Sequence, residues 1–116
     1  MSSLPLPFTK MHGCANDYVV VDAVHHRVRD AEALARRICD RRRGIGADGL
    51  LLALPSKAAD LRMRMFNADG SEAEMCGNGI RCLVKFAVER GLLGPERAGV
   101  VETSAGLLGY DCLLYT

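Results

Sequence analysis

Residues 78–90 read Asn-Gly-Ile-Arg-Cys-Leu-Val-Lys-Phe-Ala-Val-Glu-Arg, followed by Gly91. The pattern predicts a helix from about Asn78 to Arg90, closed by Gly91 at the position after the last turn that favours glycine. Its polar stripe is narrow: Arg81, Lys85 and Glu89, each four residues apart. Ile80, Cys82, Leu83, Val84, Phe86, Ala87 and Val88 cover most of the circumference. A helix that apolar nearly all round is expected in the core rather than on a surface.

Working outward, Phe8 to Met11 and Tyr18 to Ala23 read as strands around the polar turn 13–17. Tyr18-Val19-Val20-Val21 is β-branched and is expected to be buried on both faces. Asp30 is a good N-cap for a helix from Ala31 to about Arg42, with Ala31, Leu34, Ala35 and Ile38 at helical spacing. Leu50 to Leu54 is a short apolar strand stopped by Pro55, and Leu61 to Phe66 alternates like a strand with one face buried. Asn67-Ala68-Asp69-Gly70-Ser71 is a turn cluster. Val100 to Ser104 and Leu107 to Tyr115 read as a hairpin turning at Ala105-Gly106. No repeat, low-complexity stretch or internal boundary divides residues 1–116, which are expected to form a single α/β domain.

Composition narrows the function classes. With 116 residues, 49% hydrophobic and 25% charged, the chain has the ordinary globular mixture. Its formal charge of +1 provides no general pull toward nucleic acid or an anionic membrane. Aromatics at 5%, with no Trp, argue against base-stacking surfaces. The N-terminal residues lack a basic region and a long apolar run, and no apolar run approaches a membrane span. A cytoplasmic location is expected. Five cysteines, Cys14, Cys39, Cys76, Cys82 and Cys112, with no C-x-x-C spacing, argue for thiols rather than a disulfide framework.

Three candidate sites read as structure. Gly44-Ile45-Gly46-Ala47-Asp48-Gly49 spells a dinucleotide fingerprint, but a helix precedes it and a strand follows, the reverse of the required order. It reads as a helix stop and a tight turn into a strand. Arg41-Arg42-Arg43 reads as a solvated helix end. His12, His25, His26 and the cysteines lack the paired spacing of zinc ligands, so no metal is expected, and His25 and His26 read as exposed loop residues.

The informative segment is residues 67–82, NADGSEAEMCGNGIRC. Cys76 stands directly before Gly77-Asn78-Gly79 and the apolar helix. A thiol at a helix N-terminus has its pKa lowered, and the first N–H groups there can also hold a carboxylate. An activated thiolate beside a carboxylate nest is one reading, and a buried structural cysteine before a capped helix is the other. The residues alone leave both open. Cys82, inside the apolar helix, reads as core packing. Asn16, Asn67 and Asn78 stand in Gly-rich turns, where amides cap the backbone or bind a zwitterion without adding charge.

Lys10-Met11-His12-Gly13, Asn16-Asp17-Tyr18, Gly44 to Gly49, Phe66 to Glu72 and Cys76 to Cys82 together resemble the diaminopimelate epimerase family. They stand in that family's order and spacing over about residues 8–108. The Asn of Cys76-Gly77-Asn78-Gly79 favours this family over proline racemases and phenazine-pathway isomerases, which usually carry His there. The resemblance implies a mixed, mostly antiparallel sheet curled around a central apolar helix, as one of two similar domains. It implies epimerisation of LL- to meso-diaminopimelate, for lysine and peptidoglycan synthesis, without pyridoxal phosphate or another cofactor. One cysteine thiolate removes the α-proton and a thiol on the opposite face returns one. Cys76 matches the first of these, Asn16 and Asn67 match substrate-binding positions, and Gly77 and Asn78 match positions whose backbone N–H groups hold the α-carboxylate. Ala15 stands where the family usually has Gly, and Gly49 where many members have Gln.

The second cysteine would lie in a C-terminal domain that is absent here, so the expected partners are an amino-acid substrate, that domain and a possible second copy. An uncovered cleft face predicts self-association. The rival readings are half of a proline or hydroxyproline racemase and a truncated, non-catalytic amino-acid-binding module.

Overall fold

The computed structural model describes residues 6–13, 16–74, 77–94 and 98–111. In chain order the elements are β1 (Thr9–Gly13), β2 (Asn16–Asp22), α1 (Ala31–Ile38), β3 (Gly49–Leu54), β4 (Leu61–Asn67), β5 (Glu72–Ala73), α2 (Gly77–Glu89), β6 (Ala98–Thr103) and β7 (Gly106–Asp111). The strands form one sheet in the order β1-β2-β3-β4-β6-β7, with β5 also on β4. Two pairings, β2 with β3 and β4 with β6, are parallel. The other four are antiparallel, so the sheet is mixed and mostly antiparallel. One edge of β4 is shared: β5 pairs with its end at Met65 and Phe66, and β6 with its start at Leu61 and Arg62.

Strand alternation sorts the core into two clusters. Tyr18 and Val20 of β2, Leu51 and Ala53 of β3, and Leu61, Met63 and Met65 of β4 pack with Cys82, Leu83, Val84, Phe86 and Ala87 of α2. Val101 of β6 belongs to that cluster, and Met11 of β1 and Tyr110 of β7 pack against it. One face of the sheet therefore closes around α2 from β1 through to β7. Val19 and Val21, Leu50 and Leu52, and Phe66 point the other way and pack with Ala35 and Cys39 beside α1. The continuous apolar run of β2 is thus explained: Tyr18 is 1% exposed and the three valines 0%, because helices cover both faces.

α2 is less enclosed than its sequence implies. Arg81, Lys85 and Glu89 form the expected solvent stripe, and Val88, 39% exposed, joins it. The helix lies along one sheet face, and its C-terminal end is tied to β1 by Arg90, whose Nη2 donates to Thr9 Oγ1 at 2.5 Å.

α1 starts where expected, with Asp30 accepting from the Ala33 N–H, but ends at Ile38 rather than near Arg42. The returning loop ends it. The N–H groups of Ile45 and Gly46 both donate to the Ile38 carbonyl, and that of Ala47 to the Cys39 carbonyl. Carbonyls that would otherwise be orphaned at the helix end are satisfied by this loop. Gly44 makes the approach possible: a Cβ there would lie 2.1 Å from the Arg37 carbonyl oxygen. β5 is the one strand that the sequence does not announce, because its two residues, directly after the 67–71 turn cluster, are too few to show a period. The final hairpin turns one residue earlier than expected, at Ser104-Ala105.

Candidate active site

Three elements deliver the polar residues singled out by the sequence to one end of the sheet, on the α2 face. Asn16 opens β2 two residues before Tyr18, so both side chains share the α2 face. Register then runs across the sheet from Tyr18 to Gly49 and from Gly49 to Asn67. Asn67 follows Met65 by two residues and shares that face as well. Gly49 places no side chain between Tyr18 and Asn67. The first turn of α2, Gly77-Asn78-Gly79, arrives at the same end.

Asn16 and Asn78 meet. Asn78 Nδ2 donates to Asn16 Oδ1 at 3.4 Å, joining residues 62 positions apart in the chain. Both are half-buried. Gly77, the first residue of α2, is exposed, and a Cβ added there would meet no atom of the described residues within 4 Å. An α-helix leaves its first N–H groups without intrahelical partners and carries positive potential at that end. An anion such as a carboxylate suits such an end.

Asn67 behaves differently. Its Nδ2 donates to Ser71 Oγ at 3.0 Å and its backbone N–H to the Ser71 carbonyl at 2.8 Å. Its amide is thus engaged in its own turn, not with the Asn16–Asn78 pair. That turn is seated on α1 through Gly70, whose φ of +93° suits glycine. A Cβ at Gly70 would also press on Arg36 of α1. Cys76, the residue before Gly77, lies outside the described residues, as do Cys14, Ala15 and Cys112. Cys39 and Cys82 are buried thiols. Burial pushes the Cys39 thiol above its ordinary value, outweighing the nearby Arg41 charge, which fits a packing role. Among the described residues no group of three His, Cys, Asp or Glu side chains is placed to hold a metal ion. No helix among them is long and apolar enough to cross a membrane.

Sequence reasoning passed over Asp48. Its Oδ2 accepts the Asp17 N–H at 2.8 Å, and its own N–H donates to the Asp17 carbonyl at 2.9 Å. Its Oδ1 accepts from Arg41 Nη2 at 3.0 Å, and the Asn16 side-chain amide bonds to the same carboxylate. The Asp17 N–H, the Arg41 charge and the Asn16 amide hold the Asp48 carboxyl below the ordinary carboxylate range. Arg41 is therefore not simply a solvated helix end: it pairs with Asp48 and, at 4.0 Å, with Asp17, which also bonds His12. An Asp in a Gly-rich turn directly before a strand was the available signal, since such carboxylates often bind nearby backbone N–H groups. His26 also departs from expectation, being half-buried with its Nδ1 shielded and without a partner among the described residues. His25 is exposed, its Nδ1 bonded to Asp22.

A model of the family described as diaminopimelate epimerase matches residues 8–112. This chain belongs to the diaminopimelate epimerase family. A diaminopimelate epimerase of Desulforudis audaxviator is 57% identical over 110 residues, covering 94% of this chain and 39% of that protein. The chain thus spans little more than a third of the relatives it matches. Among solved structures, a phenazine biosynthesis protein of the PhzF family from Bacillus anthracis has a TM-score of 0.70 at 26% identity. That match covers 91% of this chain and 34% of the other. A probable proline racemase from Agrobacterium radiobacter has a TM-score of 0.66 at 21% identity, covering 86% and 35%, a likeness of fold alone. The mixed sheet around α2 is accordingly the diaminopimelate epimerase-like fold.

Proposed function

We propose that this chain forms one half of the active site of a diaminopimelate epimerase, which inverts the α-carbon of LL-diaminopimelate to the meso form. The observation that carries the reading is the meeting of Asn16 and Asn78 at the first turn of α2. In this reading the N–H groups of Gly77 and Asn78 hold the α-carboxylate, and Asn16 and Asn67 bind the rest of the substrate. Cys76, adjacent to Gly77 in sequence, acts as thiolate base. It takes the α-proton, and the electron pair left on the α-carbon delocalises into the carboxylate. Donors at the first turn of α2 strengthen their hydrogen bonds as that charge develops, which lowers the barrier. A thiol on the far face returns a proton to complete the inversion. The length that the relatives have beyond this chain is where that thiol and the second, similar domain belong. No cofactor takes part in this scheme, and the site is that of a cytoplasmic enzyme of lysine and peptidoglycan synthesis.

The test is proton NMR of LL-diaminopimelate with this chain in heavy water. Loss of the α-proton signal, abolished by Cys76→Ala, is the expected result. Exchange that survives Cys76→Ala removes the cysteine from the mechanism. Exchange of proline, with none of diaminopimelate, replaces the reading with a racemase half. Diaminopimelate binding without exchange, persisting after the missing half of a full-length epimerase is added, leaves a binding module instead.

A further inference from the structure

In the proposed function Asn16 touches the substrate, yet an amide is nearly symmetric in shape. Its oxygen and its NH2 can exchange places unless neighbours distinguish them. The neighbours here do so. On one side stands Asp48, a carboxylate that offers only acceptors when ionised. It is held from three directions: the Asp17 N–H at 2.8 Å, Arg41 Nη2 at 3.0 Å and the Asn16 amide itself. On the other side stands Asn78, whose Nδ2 lies 3.4 Å from Asn16 Oδ1. A charge-assisted N–H to carboxylate bond is stronger than a neutral one, so the Asp48 side dominates the choice.

We infer that Asp48 is a positioning residue, held by Arg41 and the Asp17 backbone, that turns the Asn16 carbonyl oxygen toward Asn78 and the first turn of α2. Asn16 then offers that end of the site an acceptor with a remaining lone pair. An acceptor there selects a ligand ammonium. Beside it, the first turn of α2 selects a carboxylate. The two together sort amino acids from plain carboxylic acids. This inference rests on the amino-acid reading proposed above. The charged groups around Asp48 are Arg41, Asp17 and, through Asp17, His12.

The experiment has two arms on the ¹⁵N-labelled chain. The Asn16 side-chain NH2 signals, assigned through their loss in Asn16→Asp, report the orientation directly. The parent is expected to show two widely separated Nδ2 protons, one bound to Asp48, and Asp48→Ala should collapse that separation. In the second arm, LL-diaminopimelate is titrated against pimelate, the same dicarboxylate without amines. The preference for diaminopimelate should fall about tenfold in Asp48→Ala, with pimelate affinity little changed. Asp48→Asn, which keeps one acceptor oxygen in place, should fall between the two and covers a fold failure in the alanine variant. Asp30→Ala, which loosens α1 without touching this network, should leave the preference as it is. Unchanged Asn16 signals in both Asp48 variants, or equal weakening of both ligands, would overturn the inference. If the parent binds neither ligand, the amino-acid reading fails, and the Asn16 signals alone decide the role of Asp48.

Discussion

The two faces of the sheet are covered by different means. On the α2 face the helix lies against apolar side chains from β1 to β7, and Leu83, at 0% exposure, sits among them. On the α1 face the helix is two turns long and its flanks are polar. Arg64 pairs with Glu72, and Arg41 with Asp48 and Asp17. α1 is held by the Asp30 cap, by the 44–47 loop bonded into its last carbonyls, and by Leu34 and Ile38, which are only half-buried. Burial contributes on both faces, and on the α1 face backbone bonds and a cap hold the short helix over its smaller cluster. The candidate site uses both: Asn78 arrives with the buried helix, and Asp48 with the loop that closes the short one.

The largest effect should separate the faces outright. Leu83→Ala removes a fully buried side chain and should cost about 2–5 kcal/mol, whereas Leu34→Ala should cost only about 1 kcal/mol. Urea unfolding of both variants measures the difference, and equal losses would break the distinction. Next, Gly44→Ala drives a Cβ against the backbone oxygens of Arg37 and Ile38. It should cost about 1–3 kcal/mol through displacement of the loop rather than of the core. A loss under about 0.5 kcal/mol would show that the loop does not clamp α1.

The smallest effect concerns the ion pair at the edge of the α1 face. Bidentate bonding to Arg64, at 2.9 and 2.8 Å, holds the Glu72 carboxyl below its ordinary value of 4.5. A carboxyl depressed in the folded state contributes stability above pH 4.5 and loses it as pH falls through the folded value. Both side chains are 36% exposed, so solvent and salt screen the pair and the contribution should stay below about 1 kcal/mol. Glu72→Gln should therefore lower stability slightly at pH 7 and not at pH 3, in denaturation series at the two values. An equal loss at both would assign the effect to packing.

Much of the fold was legible along the chain. The apolar circumference of 80–88, the buried run 18–21 and the alternation of 61–66 each follow from the period of one element, and they predicted the burial observed except at Val88, which is exposed. The end of α1 was not legible. Arg41 to Arg43 continue a helix well by propensity, but residues 45–47 fold back and their N–H groups capture the last carbonyls. β5 was hidden because two residues carry no period of their own and only pairing with β4 makes them a strand. At the site, the sequence named Asn16, Asn67, Gly77 and Asn78 but not Asp48, whose role depends on partners from β2 and from the end of α1.

By itself, then, the sequence determined the family, most of the elements and most of the residues that face inward, because these depend on local period and on a specific set of short motifs. Only the tertiary structure decided that Asn78 meets Asn16 while Asn67 bonds within its own turn. It alone decided that Asp48 gathers Asp17, Arg41 and Asn16. The direction in which an amide or a carboxylate turns is set by donors and acceptors that the fold brings from elsewhere in the chain, and local sequence does not contain them.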